Sequence, residues 1–247
     1  MILQKTFDQV YTNNSGNPIA LNPDGTTVEF VYPQGYYTVI VIFKCALDPL
    51  STKRLESFCG ALQQFYEEDV RIFGVNRDNL TVLKHWMSKV GNVNFPLVSD
   101  MNIGEENIGI PQFLEVPLID GYPAPTTIVL DQTGRVRYTE STDPEVSSVD
   151  EILRFIRALK TVDEGKGERI IPADWMEGEA AIRNTKEGVA EFYEEKYKDD
   201  GKTKSKDVPS INKSQEHVEA NVTVSKPVGE EKNKTEKENS DKVKSEK

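Results

Sequence analysis

The chain has 247 residues, with 30 Lys and Arg against 41 Asp and Glu, a formal net charge of −11, and 37% hydrophobic residues. Of these charges, 12 Lys and 11 Asp or Glu lie in 198–247, which leaves 18 basic and 30 acidic residues in 1–197. An acidic body of that kind excludes nucleic-acid binding through phosphate contacts, which needs clustered Lys and Arg. There is no apolar run long enough to span a membrane and no basic-then-apolar leader, so no membrane partner is expected.

In chain order, the first forty residues are rich in Gly, Pro and Asn, with a short strand expected within Thr26–Tyr32. Val39–Cys45 is a continuous apolar, β-branched run, the pattern of a strand covered on both faces. A turn follows, then a helix with Leu55, Phe58, Cys59, Leu62, Phe65 and Tyr66 at spacings of three and four, for which Ser51 or Thr52 is the expected N-cap. Val70–Asn76 reads as a second buried strand. A helix from Asn79 to about Val90 carries Leu80, Leu83 and Trp86, and Phe95–Asp100 is a short extended piece. Thr126–Asp131 turns through Gln132-Thr133-Gly134 into Arg135–Glu140, the pattern of a hairpin. Ser147-x-x-Asp150 opens a helix to Lys160 whose apolar face is Val149, Ile152, Leu153, Ile156 and Leu159. From Gly165 the chain becomes an arm that ends in a charged amphipathic stretch around Val189–Tyr197.

This order predicts an α/β fold of thioredoxin-like arrangement, a central mixed sheet flanked by helices with a C-terminal arm. The expected division is a domain over 1–160, the arm over 161–197 and a disordered, Lys- and Glu-rich tail over 198–247 that has no aromatic residue to bury. Two cysteines without a Cys-x-x-Cys pattern point to free thiols and a reducing, cytoplasmic setting. Asn13, Asn79 and Asn221 head glycosylation-type triplets, read as chance matches in an Asn-rich chain.

Several strings resemble the peroxiredoxin family, in particular its typical two-cysteine branch. They are Phe43-x-x-x-Leu47-Asp48, then Phe58 and Phe65, Val70–Asn76 with Asp78, Trp86, and Phe95-Pro96-Leu97-Val98-Ser99-Asp100. Ile128-Val129-Leu130-Asp131-x-x-Gly134-Arg135 is similar to the family's late hairpin, Val149–Leu159 to its closing helix, and Ile171-Pro172-Ala173-Asp174-Trp175-x-x-Gly178 to its resolving-cysteine arm. The resemblance covers roughly Val39–Tyr197. It implies thiol peroxidase chemistry fed by a thioredoxin-type reductant, and dimers or larger rings in which the arm reaches a neighbour.

The family's pattern Pro-x-x-x-Thr-x-x-Cys is altered in this chain. Ala46 stands at the proline, Leu50 at the threonine and Ser51, after a short deletion, at the peroxidatic cysteine. The supporting arginine becomes Pro125, the resolving cysteine becomes Ile171, and the Gly-Gly-Leu-Gly insert is replaced by Gly91-Asn92-Val93-Asn94. A serine hydroxyl does not ionise near neutrality and forms no sulfenic acid. The losses therefore predict a protein that acts by binding or oligomer assembly, as a homodimer or with active peroxiredoxins. The alternative expectation is an atypical peroxidase using Cys45 with an external thiol.

The remaining candidates have plainer readings. Cys59 lies on the apolar stripe of its helix and reads as packing. His85 has no second histidine in 1–197 and no Cys/His cluster, so no metal or other cofactor is expected. Ser51 with His85 and an acid lacks any Gly-x-Ser-x-Gly context for a hydrolase. Asp48, Asp78, Asp100 and Asp131 read as turn and cap residues, and Trp175 as an apolar anchor against a partner or the chain's own body.

Overall fold

The computed structural model describes residues 19–90, 93–101, 109–141 and 148–198. The elements in order are β1 Ile19–Leu21, β2 Thr27–Glu29, β3 Tyr37–Ile42, α1 Pro49–Gly60, α2 Leu62–Glu67, β4 Val70–Asn76, α3 Leu80–Val90 and β5 Leu97–Ser99. They continue with α4 Ile110–Phe113, β6 Leu118–Ile119, β7 Tyr122–Pro123, β8 Thr126–Leu130, β9 Val136–Ser141, α5 Val149–Glu164, β10 Arg169–Ile170, β11 Ile182–Arg183 and α6 Lys186–Lys198. The tail beyond Lys198 and the predicted cap Ser147 lie outside the described residues.

One mixed sheet has the order β2-β1-β5-β4-β3-β8-β9. β3, β4 and β5 run parallel, and β8 returns antiparallel beside β3 with Val41 opposite Thr127. Both faces are covered, which is why every residue of β3 is buried. On one face Val39, Val41 and Val129 meet Leu55 and Phe58 of α1, Leu83 and Trp86 of α3, and Ile152, Leu153 and Ile156 of α5. On the other, Ile40, Ile42 and Ile128 meet Phe30, Tyr32 and Ile110. The predicted α/β sandwich of a thioredoxin-like fold is therefore present.

Close packing constrains one position strongly. A Cβ on Gly74 of β4 would sit 2.6 Å from Leu97 Cδ2 and 3.2 Å from Phe43 Cε1. That glycine lets Phe43 lie under the sheet and stack on Trp86, with ring centroids 6.0 Å apart.

Four sequence expectations need correction. The strand expected to run to Cys45 ends at Ile42; the Phe43 amide still donates to Val75 O at 3.1 Å, but Lys44 and Cys45 are loop. The single helix expected from Ser51 to Tyr66 is two, because Ala61 takes φ −99°, ψ 2° and interrupts it. Neither Ser51 nor Thr52 is the cap: Asp48 is, with Pro49 fixing the first helical φ. The helix predicted to open at Ser147 is α5, capped by Ser148, whose Oγ accepts from the Glu151 amide, and it runs on to Glu164.

The arm docks on its own chain. Trp175 is buried, its indole donates to Glu179 O at 2.9 Å, and Arg154 of α5 donates to Trp175 O at 2.8 Å. Of the two anchors expected for this residue, the chain's own body is the one observed.

Candidate functional site

The site lies at the carboxyl ends of the parallel strands, where open α/β sheets place their ligands. The loop from β3 to α1 is held at two points. Asp78, just beyond β4, accepts from the Ala46 amide and from Asn76 Nδ2, both at 2.6 Å, while Ser99 Oγ donates to its carbonyl. Asp48 accepts from the Ser51 amide at 2.7 Å, and its carbonyl accepts from the Thr52 amide at 3.0 Å. The first-turn amides of α1 thus face a carboxylate supplied by the chain itself. An anion at that end offsets the positive pole of the helix.

Ser51 is the third residue of α1 and fully buried, and its Oγ has no hydrogen-bond partner among the described residues. One turn further, on the same face, Arg54 is also buried. Its Nη2 donates to Thr127 Oγ1 of β8 at 2.5 Å. Glu140 of β9 stands opposite Thr127. Burial raises the Glu140 carboxyl above its usual range, while the charge of Arg54 pulls it down and that of Glu151 pushes it up.

Arg54 is the residue that sequence reasoning missed. The signal was present: Ser51, Arg54, Leu55, Phe58 and Leu62 follow the three- and four-residue spacing of a buried stripe, so an arginine there has to point inward. Arg54 brings a guanidinium to Thr127, two residues after Pro125.

Pro125 is partly buried immediately before β8, and Ile171 partly buried immediately after β10. Pro125 offers no cation or donor, and Ile171 has no sulfur to close a disulfide. Both cysteines are free thiols, partly exposed. Burial pushes the Cys45 thiol above the usual range; Asp78 and Asp48 add to this, against the amides of Leu47 and Asp48. Its neighbour Lys44 turns its ammonium over the Tyr122 ring, 5.5 Å from the centroid. Burial likewise raises the Cys59 thiol, which lies on α1 and packs against the core.

The other candidates occupy structural posts. His85 is exposed on α3, so it forms no pair with the buried Ser51. Asp100 accepts from the Ile110 amide, and Asp131 accepts from Thr133 and Arg135 and pairs with Arg137 at 3.1 Å. No group of three or more His, Cys, Asp or Glu suited to a metal occurs among the described residues. No helix among them is long and apolar enough to cross a membrane.

The AhpC/TSA family model matches residues 15–139. The chain is 26% identical over 169 residues to peroxiredoxin-4 of Dictyostelium discoideum, covering 65% of this chain and 62% of that protein. It is 25% identical over 169 residues to peroxiredoxin TSA1 of Saccharomyces cerevisiae, covering 65% and 83%. Among solved structures, the reduced 2-Cys peroxiredoxin of Plasmodium vivax superposes with a TM-score of 0.65 at 22% identity, over 71% of this chain and 93% of that one. Mycobacterium tuberculosis AhpC gives 0.54 at 20%, over 64% and 94%.

Proposed function

This chain belongs to the AhpC/TSA family, and we propose that it works within that family by binding and assembly rather than by the usual thiol peroxidase cycle. The observation that carries this reading is the occupant of the α1 terminus. A buried serine stands there, and its own amide is bonded to the Asp48 carboxylate. Peroxide reduction needs a thiolate held at low pKa, a group to polarise the departing oxygen and a second thiol or an external one to regenerate the first. Ser51 supplies no thiolate, and Ile171 cannot resolve one. Cys45, the nearest cysteine in sequence, has its thiol pushed up by burial, Asp78 and Asp48, which weighs against the atypical peroxidase.

The partner we infer is a second copy of this chain or an active family member. Supporting this are Leu47, Leu50, Leu118, Ile119 and Tyr122, large apolar side chains left exposed on the site loop and the β6–β7 hairpin. Free thiols fit a reducing compartment, and we place the protein in the cytoplasm on that ground.

The test is peroxide challenge of the full chain with a dithiol reductant, followed by sulfenate trapping and intact mass, alongside size analysis alone and mixed with an active peroxiredoxin. Absence of turnover together with a dimer or mixed oligomer is expected. Rapid stoichiometric oxidation of Cys45 with turnover would overturn the reading in favour of the atypical peroxidase. A monomer that ignores active relatives would remove the assembly role.

A further inference from the structure

Cations on the body of the protein often meet a carboxylate of the same chain. Arg137 meets Asp131 and Asp163, Arg154 meets Glu151, and Arg157 and Lys160 meet Glu68. Helix α3 breaks this pattern. From Asn79 to Ser99 the chain has no Asp or Glu, although acids outnumber bases 30 to 18 in 1–197. α3 turns Leu83 and Trp86 into the core and leaves Thr81, Lys84, His85, Ser88 and Lys89 exposed. Spacings of three and four place these five along one side of the helix. Neither Lys84 nor Lys89 has a carboxylate within ion-pair distance among the described residues. Lys89 has a second use, since a cation in the last turn offsets the helix dipole. Lys84 stands mid-helix, where the dipole gives it no such use.

This strip therefore carries the sign opposite to that of the body around it. Its complement is a short row of carboxylates. A phosphate polymer fits less well, because it would run past a helix of 11 residues onto the acidic remainder. We propose that the outer side of α3 docks an acidic peptide segment of another protein. Lys84 and Lys89 meet its carboxylates, and His85 and Ser88 add hydrogen-bond donors. This goes beyond the assembly role, which rests on apolar side chains of the site loop and the β6–β7 hairpin. Charged contacts of this kind set partner choice and encounter rate more than raw affinity, and salt weakens them.

Fluorescence anisotropy tests the proposal with full-length protein and a fluorescein-labelled peptide of Glu-Ala repeats. A Gln-Ala peptide serves as control and should not bind. The Glu-Ala peptide should bind and lose affinity as NaCl is raised. Lys84→Glu with Lys89→Glu should weaken it about tenfold or more, since like charges then face each other. Lys166→Glu with Lys186→Glu makes the same change in net charge on exposed residues of the arm. That pair should leave binding within about twofold, because screened charges act locally. Circular dichroism checks the fold of each variant. If the α3 reversal does not fold, Lys84→Gln with Lys89→Gln decides: weaker binding supports the face, and unchanged binding overturns it. No binding of the Glu-Ala peptide, or an equal loss from both reversals, overturns the proposal. So does a heparin fragment or duplex DNA that binds α3 more tightly than the peptide. Self-association abolished by the α3 reversal also overturns it, by making a second copy the occupant. Peroxide turnover and mixing with active relatives involve none of these side chains, so this proposal and the assembly role fail separately.

Discussion

At the residue scale, the chemistry of the site turns on which charges sit beside which sulfur or oxygen. Cys45 lies next to Asp78 and Asp48, and with burial they set its thiol against ionisation. The pH profile of its alkylation by iodoacetamide should therefore have its midpoint above the ordinary thiol value of about 8.5. Asp78→Asn keeps an oxygen to accept from the Ala46 amide but removes the charge, and should bring that midpoint down. Steric limits act at the same scale. With Leu97 Cδ2 only 2.6 Å from an added Cβ, Gly74→Ala forces the core to shift. We expect a loss of about 1–3 kcal/mol in urea unfolding, the usual cost of overpacking.

At the element scale, α1 and the arm are each pinned by a few named contacts. Removing the α1 cap with Asp48→Ala should cost about 0.5–2 kcal/mol of stability, read by thermal unfolding. Trp175→Ala should cost more, about 3–5 kcal/mol, because a buried indole is lost together with its hydrogen bond. Limited proteolysis should then cut within 165–183 while the sheet stays intact. Much of this architecture was legible in the chain. Val70–Asn76 is a strand from its first to its last predicted residue, with Val70, Ile72, Phe73 and Val75 buried as a strand covered on both faces requires. Helix starts were read less well. Ser51 looked like a cap because serine caps helices often; Asp48-Pro49 was the stronger signal, an acceptor followed by a residue that needs no amide partner. The break at Ala61 was invisible, because Leu62, Phe65 and Tyr66 continue the apolar spacing across it. Arg54 falls on that same stripe, and the fold sets its buried guanidinium on Thr127.

At the scale of the whole molecule, charge governs both stability and association. Glu68 is partly buried, which by itself would raise its carboxyl, but hydrogen bonds from Lys160 and Arg157 hold it below the usual range. Asp131 follows the same pattern, burial being outweighed by Thr133, Arg137 and the Arg135 amide. A carboxyl whose folded pKa is depressed contributes stability above its unfolded value and loses it as pH falls through the folded one. Stability should thus drop on acidification below the ordinary carboxylate range, and Glu68→Gln should flatten part of that drop in unfolding midpoints measured against pH. Glu140, raised by burial, has the opposite sign and contributes a loss as pH rises through its folded value. Association of copies of an acidic body is opposed by their mutual repulsion, which salt screens over about 8–10 Å. The assembly role therefore predicts a self-association that strengthens with added salt in sedimentation. Leu50→Glu should weaken it while leaving monomer stability within about 0.5 kcal/mol, since Leu50 is 58% exposed.

The clasp formed by Asp78 on Ala46 and Asp48 on Ser51 has a further consequence for motion. Connecting loops are ordinarily the quickest part of a protein to exchange amide hydrogens with solvent. Here the Ala46 amide of the connector and the Ser51 amide of the first helical turn are each tied to a carboxylate, so both should be slow exchangers where the backbone would otherwise be fast. The ties consist of nitrogen and oxygen alone. Deuterium uptake at these two positions should therefore be the same before and after peroxide treatment, marking a loop whose stillness is independent of redox state.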